Sequence, residues 1–335
     1  MRILITSGLG KTDIGGPFQY AHNLEREFKA LGHEVRVDSY GSIERRLPIG
    51  LRHLFFLIKI LPGVRWSDKI LTLDTYSVGV PTVLAGRFFG KKVVIRVGGD
   101  FLYSAYLNRT DEKITLSAFY ENLPELNIKE KLIFFFTKFT VERTDFLAFN
   151  TEWQRKIWAL VYGLNEKNSG VARNFIPERA EGTTPQIKNI LWAGRVIPEK
   201  NLEFLKRVGK KVSMTHPEFK LDIITGESHK NVLERLRGCY AATSVALTDI
   251  SPNFIIEAIS FGKPFILTKE TGLNELFPKG GSFINPLNED ELEKAIEAML
   301  DERTYNGYVE ELKENKLTHS WEELAKDFLI IWERL

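Results

Sequence analysis

The sequence contains a single cysteine, Cys239, among 335 residues. One cysteine excludes an intramolecular disulfide framework and a cysteine-rich zinc site, and it suits a reducing compartment. The six histidines show no H-E-x-x-H spacing, which a catalytic zinc helix would supply. The composition therefore predicts a protein that folds around a hydrophobic core, without disulfides and without a zinc site of either kind.

A charge excess of one sign and long apolar runs are also lacking. Lys and Arg number 46 and Asp and Glu 44, so the net charge of +2 supplies no global field for nucleic acid. Apolar runs such as Leu54–Ile58 and Leu132–Phe136 are far shorter than the roughly 18 residues of a membrane-spanning helix. The apolar run in Met1–Thr6 is too short for a secretory signal. We therefore expect a soluble, cytoplasmic protein without a nucleic-acid partner.

Short β-rich runs alternate with helical periods along the whole chain. At roughly 150 residues per domain, this length corresponds to two domains. The βα pattern occurs twice, on either side of a polar segment at 177–188, and such a repeat implies parallel, doubly wound sheets. The fold prediction is therefore α/β, with two Rossmann-like domains facing a central cleft at their strand carboxyl ends, where ligands bind.

The predicted elements can be given by their ranges. The strands are Arg2–Thr6, Glu34–Asp38, Lys69–Leu73, Val93–Val97 and Asp145–Phe149, then Asn189–Ala193, Leu221–Thr225, Ser244–Thr248 and Phe265–Thr268. The helices include Pro17–Leu31, Glu199–Ser213, His229–Cys239, Pro252–Gly262, Asn288–Leu300 and Trp321–Leu335.

Two glycine-containing turns follow predicted strands and precede predicted helices. Gly15 and Gly16 end the loop after the first strand, where glycine lets the backbone approach a ligand and free N–H groups attract anions. Gly194 follows the first strand of the second half, with Arg195 and Lys200 just beyond it. An arginine can grip a phosphate with two parallel bonds and a lysine adds a mobile charge, so this turn predicts a diphosphate site. The alternatives are a plain helix start and two surface cations.

The segment from Asp249 to Glu257 is the most informative stretch. A Ser-Pro pair within it is predicted to cap and begin a helix, so that Asn253 and Phe254 present backbone N–H groups in the first turn. Glu257 lies among apolar residues, and a carboxylate in such a setting needs partners that sugar hydroxyls would supply. In the alternative interpretation Asp249 caps a turn and Glu257 pairs with a nearby cation.

Residues 45–65 interleave Arg and Lys with Leu, Ile and Phe. This pattern is compatible with an interfacial helix that makes weak peripheral contact with a membrane and finds a lipid-linked acceptor. The βα alternation requires a crossover helix at the same place, and we favour that interpretation.

The ordered set of motifs resembles the glycosyltransferase family 4 enzymes of the GT-B fold over essentially the whole chain. The segments that carry the resemblance are Gly15-Gly16, Asn150-Thr151-Glu152-Trp153, Gly194-Arg195 with Lys200-Asn201, and Asp249 to Glu257. The last has the spacing of the family's two signature acids, which seven residues separate. The resemblance implies an acceptor-binding domain over 1–174, a nucleotide-sugar domain over 175–318, and a terminal helix over 319–335 that crosses back to the first domain.

The same resemblance implies a retaining, metal-independent glycosyltransferase. It would move a sugar from a nucleoside-diphosphate sugar to a glycan, lipid-linked or small-molecule acceptor without a further cofactor, in the cytoplasm or at the inner face of the membrane. Gly194 and the cations Arg195 and Lys200 would bind and neutralise the diphosphate, and the backbone of Asn253 and Phe254 would donate to it.

Other positions would face the sugar, the ribose and the base. By the analogy Asp249 holds a hydroxyl of the transferred sugar, Glu257 binds the ribose hydroxyls, and Gly226 lies near the base. Asp249 is one methylene shorter than the family's glutamate.

The chain also departs from the family after the fourth strand of the first domain, where members often carry a histidine. Here the sequence is Gly98-Gly99-Asp100, and Asp100 is the nearest substitute for contacting the sugar or the acceptor. The departure leaves two further hypotheses. One is a sugar-nucleotide epimerase on the same fold, with His22 or Asp100 as its acid or base, and the other is a nucleotide-sugar-binding protein without catalysis.

Overall fold

The structure of the protein, a computed structural model, describes residues 1–9 and 16–335, with the side chains of residues 16–18 excluded. The chain forms two compact units. The first contains Met1–Leu102, Glu125–Phe175 and Ser320–Leu335, and the second contains Tyr103–Pro124 and Ile176–His319. The segment Tyr103–Pro124 therefore groups with the second unit, whereas the sequence-based boundaries place it in 1–174.

Each unit is built on one parallel sheet. The first sheet has the order β2-β1-β3-β4-β5-β6, and the second has the order β11-β10-β9-β7-β8. Their strands are β1 Arg2–Ser7, β2 Glu34–Ser39, β3 Lys69–Thr72, β4 Lys92–Val97, β5 Phe146–Phe149 and β6 Ser169–Val171, then β7 Lys188–Ala193, β8 Phe219–Ile224, β9 Ala241–Ser244, β10 Phe265–Thr268 and β11 Gly281–Ile284. The predicted pair of parallel, doubly wound sheets is confirmed.

Helices connect the strands of both sheets. They are α1 Gly16–Ala30, α2 Ser42–Arg46, α3 Ile49–Trp66, α4 Gly79–Phe88, α5 Phe101–Thr110, α6 Leu116–Glu121, α7 Ile128–Arg143, α8 Glu152–Tyr162, α9 Leu202–Thr215, α10 His229–Gly238, α11 Asn253–Ser260, α12 Glu289–Leu300, α13 Glu302–Glu314 and α14 Trp321–Glu333. Across residues 1–9 and 16–335, none combines the length and the apolar character of a bilayer-spanning segment.

The terminal helix α14 packs with α1 on one face of the first sheet. The rings of Phe28 in α1 and Trp332 in α14 have centroids 5.7 Å apart. Lys69 Nζ, on β3, donates to the Trp332 carbonyl over 2.9 Å. Phe328 has no exposed surface. The predicted return of the terminal helix to the first domain is therefore confirmed.

Close approach by glycine brings α3 and α4 onto the other face of the first sheet. A Cβ at Gly63 of α3 would lie 3.2 Å from Leu4 of β1, and a Cβ at Gly86 of α4 would lie 2.4 Å from Val93 of β4. The crossover role that we favoured for 45–65 is thus filled by α3, which covers the sheet with a narrow buried stripe that includes Phe56.

The second sheet is covered on both faces. Apolar side chains of α9 and α12 form one cluster with the sheet, and those of α10 and α11 form another. The polar segment at 177–188 is attached to this unit, because Ala180 N donates to the Ser260 carbonyl over 2.9 Å and Thr183 N to the Arg237 carbonyl over 3.0 Å.

The structure corrects three boundaries of predicted elements in the second unit. Strand β9 ends at Ser244, so the predicted strand Ser244–Thr248 is wrong. Its apolar residues are fully buried, but Leu247 N donates to the carbonyl of Glu199 in a loop and not to a neighbouring strand. Helix α9 begins at Leu202 after a 3₁₀ turn at Pro198–Lys200. The sequence also missed β11 and α13 altogether.

The third boundary is the start of α11. Pro252 is its N-cap, with extended backbone, and Ser251 lies outside the helix. The N–H groups of Ile255 and Ile256 both donate to the Pro252 carbonyl over 3.1 Å, which closes the first turn. The predicted Ser-Pro cap is therefore displaced by one residue.

The packing of α14 can be tested with one buried and one exposed residue of the same helix. Phe328→Ala should lower the free energy of unfolding by about 3–5 kcal/mol, because it opens a cavity in the core. Ile330→Ala, at a side chain 45% exposed, should change it by less than about 1 kcal/mol. Urea denaturation of both variants measures the difference, and equal losses would contradict the packing described.

Candidate functional site

The strand order of the second sheet reverses between β7 and β9. Strand β8 lies on one side of β7, and β9, β10 and β11 follow on the other side. In open α/β sheets such a switch point leaves a crevice at the carboxyl ends of the strands, where ligands bind. The loops that reach this point are 194–201 after β7 and 245–252 after β9. They contain most of the site residues that the sequence predicts.

Three consecutive residues bond the first of these loops to the second. The Glu199 carbonyl accepts from Leu247 N over 2.8 Å, and Lys200 Nζ lies 2.8 Å from Asp249 Oδ2. Asn201 Nδ2 donates to the Val245 carbonyl over 3.3 Å. Asn201 has a left-handed backbone, with φ of 52°, a conformation that asparagine tolerates better than most residues. Lys200 and Asp249, which the sequence predicts as separate members of the site, are therefore in direct contact.

Asp249 is held on a second side by Ser244, the last residue of β9. Ser244 Oγ donates to Asp249 Oδ2 over 2.7 Å. The side chain of Asp249 is 14% exposed and that of Lys200 is 25% exposed. An ammonium group has three donors and Asp249 uses one of them, so Lys200 retains N–H groups for a ligand.

Arg195 stands at the rim of the same loop. It is exposed, and within the part of the chain that the structure describes its side chain makes no hydrogen bond or ion pair. Gly194 before it donates its N–H to the Ile224 carbonyl at the end of β8 over 3.2 Å. A Cβ at Gly194 would lie 3.2 Å from the Trp192 ring, so glycine lets the chain turn closely over this ring. The turn leaves a free guanidinium at the carboxyl edge of the sheet.

The start of α11 offers two free backbone donors. In the described structure the N–H groups of Asn253 and Phe254 have no hydrogen-bond acceptor. The partial positive charge of a helix N-terminus and such N–H groups together attract anions. Asp249 precedes this helix by four residues. The two backbone N–H groups that were predicted to bind the diphosphate are therefore free. They come directly after the loop that carries Asp249.

Glu257 is paired with an imidazole. His229 Nε2, at the first position of α10, lies 2.7 Å from Glu257 Oε1. The hydrogen bond to this carboxylate raises the pKa of His229. The apolar setting that we predicted for Glu257 is thus incomplete, because the carboxylate has a titratable partner that becomes a cation when protonated. Gly226 lies shortly before α10 and has a left-handed backbone, with φ of 70°.

The predicted residues of the first domain lie in the first unit. Asp100 precedes α5 and is buried, and Trp158 Nε1 donates to its Oδ2 over 3.1 Å. His22 is exposed on α1. Gly16 is the first residue of α1, whereas Gly15 lies outside the described residues.

Sequence reasoning missed His229 and Ser244 as members of the site. Ser244 was counted as the first residue of a strand, and no motif singled out His229. Within 1–9 and 16–335 no three His, Cys, Asp or Glu side chains are grouped to hold a metal ion. The absence of a bound metal in the reaction stays a prediction.

Comparisons with known proteins give the fold. No family model matches the chain, and no curated protein resembles it in sequence. Many solved structures are similar to the chain, including three that match over nearly their whole length. HepE of Anabaena in complex with UDP and glucose has a TM-score of 0.70 at 12% identity, with 99% of each chain covered. The trehalose-6-phosphate structure from E. coli bound with UDP-2-fluoro glucose has a TM-score of 0.73 at 12% identity, with 100% of this chain and 99% of the other covered. A glycosyltransferase from Rickettsia africae has a TM-score of 0.64 at 13% identity, with 99% and 97% covered.

These likenesses confirm the GT-B fold that the sequence predicted. At 12–13% identity they establish the architecture alone. Membership of family 4 and the roles of the site residues stay predictions.

The contact between His229 and Glu257 can be tested by titration. Glu257→Gln removes the carboxylate charge, so the pKa of His229 should fall toward its ordinary value of about 6.5. Because the pKa of folded His229 is raised, the pair stabilises the fold fully below the ordinary value and loses that effect as the pH rises through the folded value. The pKa is read from the imidazole proton shifts by NMR. Glu227→Gln is the control, since Glu227 pairs with Arg235 over 3.2 Å and should leave His229 unchanged. An unshifted His229 in Glu257→Gln would contradict the pair.

Proposed function

We propose that the protein is a glycosyltransferase that moves a sugar from a nucleoside-diphosphate sugar to an acceptor, with retention of anomeric configuration and without a bound metal. One observation carries the proposal: Lys200 and Asp249 meet at the carboxyl ends of β7 and β9, just before the open start of α11. This cluster offers cations, free amides and carboxylates together. A diphosphate that joins a ribose to a sugar presents the matching anions and hydroxyls.

The positive groups of the site are assigned to the diphosphate. Arg195 is exposed with no partner among the described residues, and Lys200 has donors left after binding Asp249. The N–H groups of Asn253 and Phe254 would bind a phosphate oxygen at the helix start. As the bond to the sugar breaks, negative charge grows on the leaving diphosphate. Fixed donors at this place therefore stabilise the transition state more than the ground state.

The carboxylates are assigned to hydroxyl groups. Asp249 would accept from a hydroxyl of the transferred sugar, held in position by Ser244 and Lys200. Glu257 would accept from the ribose hydroxyls, since each of its oxygens can take more than one hydrogen bond and His229 uses one. Gly226, close in sequence to His229, would leave room for the base.

Two of the similar structures support the identity of the donor. HepE and the E. coli structure were solved with UDP or a UDP-sugar. We therefore propose a uridine nucleotide as the first donor to test. Membership of family 4, the cytoplasmic location and an acceptor held by the first unit belong to the same proposal, with Asp100 as the group that would contact the acceptor.

The proposed reaction is a front-face substitution at the anomeric carbon. The bond from this carbon to the diphosphate oxygen breaks, and the acceptor oxygen forms a new bond on the same face. The proton of the acceptor hydroxyl passes to the leaving phosphate oxygen. Arg195 and Lys200 hold that phosphate, and no metal ion enters the balance.

The reaction itself is tested with donor and without acceptor. We expect slow hydrolysis of one of UDP-, GDP- or ADP-glucose in EDTA, with α-glucose as the first sugar released, because retention preserves the donor configuration. Proton NMR before mutarotation measures the anomer. Epimerised donor would instead identify the epimerase hypothesis, and binding without turnover, even after acceptors are supplied, would identify the binding protein. Binding of none of the three would refute the proposal.

The diphosphate contact is tested at Arg195. Arg195→Ala should weaken UDP binding roughly 10- to 150-fold, the equivalent of about 1.5–3 kcal/mol for a lost hydrogen bond to a charged group. Isothermal calorimetry gives the dissociation constants. Arg207→Ala is the matched control, since Arg207 is an exposed arginine on α9 that pairs with Glu289 over 2.7 Å. Equal affinity in the two variants would remove Arg195 from the site.

A further inference from the structure

Exposed apolar side chains concentrate on three neighbouring helices of the first unit. Of the 21 large hydrophobic residues exposed in the described structure, ten lie on α3, α4 and α7. They are Ile49, Leu51, Leu54, Phe55, Ile58, Leu84, Phe88, Ile128, Leu132 and Phe135. We call this surface the α3–α4–α7 face. Single exposed apolar residues are ordinary, but ten of them on three helices that meet at α4 indicate an interaction surface.

A groove of about 640 Å³ runs between these helices. Its wall includes Leu54 and Leu57 of α3, Leu84 of α4, and Leu132 and Phe136 of α7. Helix α4 contacts both α3 and α7. The volume lies within the range of sites that bury a small apolar ligand or a chain of one.

These side chains are surplus to the core. Helix α3 buries Phe56, Ile60, Gly63 and Val64, which is the i, i+4, i+7, i+8 stripe that faces the sheet. The exposed residues Leu54 and Ile58 lie off that stripe, so packing within the first unit does not account for them.

The charge on the same helices is strongly positive. Together α3, α4 and α7 carry eight Lys or Arg residues and two Glu, although the whole chain is nearly balanced. Two of the eight are engaged elsewhere, since Lys59 pairs with the buried carboxylate of Glu44 and Arg52 donates to backbone carbonyls.

Helices α3 and α4 contain no acidic residue. In α7 Glu130 is buried as part of the N-terminal cap, and Glu142 lies 3.3 Å from Arg143 at the far end. Lys129 and Lys131 are exposed with no partner among the described residues.

The charge pattern indicates which kind of partner binds to the α3–α4–α7 face. Two copies of this face would bring like charges together, which opposes a symmetric dimer. An interfacial helix on an anionic membrane shows the observed combination, with apolar residues that enter the headgroup boundary and Lys or Arg beside them. No helix needs to cross the bilayer for this mode of binding.

We propose that the α3–α4–α7 face docks on an anionic phospholipid bilayer and that the groove receives an acyl chain of a lipid at its surface. The apolar side chains enter the boundary between headgroups and chains, and the basic side chains contact the lipid phosphates. Binding of this face to a bilayer does not depend on which donor the protein uses, so it can be tested separately from the proposed function.

The test uses the full chain and vesicles of two compositions. Wild-type protein should co-sediment with phosphatidylcholine vesicles that contain phosphatidylglycerol and much less with pure phosphatidylcholine. Binding should weaken as salt rises, because the lipid charge is screened. Absence of binding to the anionic vesicles at low salt would overturn the proposal.

Variants on and off the face sharpen the test. Leu54→Glu and Leu132→Glu, at residues 54% and 50% exposed, should each reduce the partition coefficient about tenfold or more, since each removes an apolar contact and adds repulsion. Leu160→Glu, at a residue 88% exposed on α8, is the control and should bind like wild type. Equal losses in all three would overturn the proposal.

Two further measurements decide the remaining outcomes. Lys131→Glu leaves the apolar surface intact and should still weaken binding by at least fivefold, so it serves if an apolar variant fails to fold. UDP affinity, where it is detected, should be unchanged in every variant, which separates this proposal from the donor site. Light scattering without vesicles that showed a dimer broken by Leu54→Glu would assign the face to a second copy and overturn the bilayer proposal.

Discussion

Three consecutive residues, Glu199, Lys200 and Asn201, bond the loop after β7 to the loop after β9, and the candidate site depends on this connection. The two strands share only two residue pairs, so strand pairing does not fix how the loops meet beyond the sheet. Of the three contacts, the Lys200–Asp249 pair is the one between charged groups, so a charged ligand beside it changes its interaction energy. A phosphate beside Lys200 brings negative charge toward Asp249, and a hydroxyl that donates to Asp249 offsets that cost. Under the proposed function, the site would therefore favour a ligand that carries both groups over a ligand with either one.

The sequence was sufficient for the architecture, because the order of strands and helices depends on where apolar residues recur. Several of the predicted site residues of the second half lie on loops at the switch point of its sheet, and their roles stay predictions. The sequence failed where a segment is buried but does not pair with a neighbouring strand. Val245–Thr248 has the apolar character of a buried strand and is buried, yet the ladder ends at Ser244 and the segment becomes the loop that meets Glu199. Hydropathy reports the removal of side chains from water, and it does not report which backbone groups bond each other. The contacts of Asp249 with Ser244 and Lys200 depend on that loop, so no motif could have specified them.

Helix α3 shows a second limit of the sequence pattern. Its apolar residues are too many for one stripe, so the pattern is compatible with an interfacial helix as well as with the crossover helix that the βα alternation favours. The sheet decides, because Gly63 allows close approach at one place and the residues at helical spacing from it become the buried set. Apolar residues of α3 outside the buried set, such as Leu54 and Ile58, are then exposed on the surface of the unit. The crossover interpretation of 45–65 describes the buried side of α3, and the interfacial interpretation stays a proposal for its exposed side.

Gly98, where the resemblance to family 4 would predict a histidine, lies against a neighbouring side chain. A Cβ at Gly98 would lie 1.9 Å from Nη1 of Arg96, so any side chain at this position would displace the guanidinium. Arg96 is buried 4.3 Å from the ring centroid of Tyr20 and donates to Asn174 Oδ1 over 3.0 Å. Burial lowers the pKa of Arg96 and raises the pKa of Tyr20 to about 12. Glycine at 98 and arginine at 96 therefore belong together, because the missing side chain at 98 leaves room for a cation that keeps its charge at physiological pH at this edge of the first sheet.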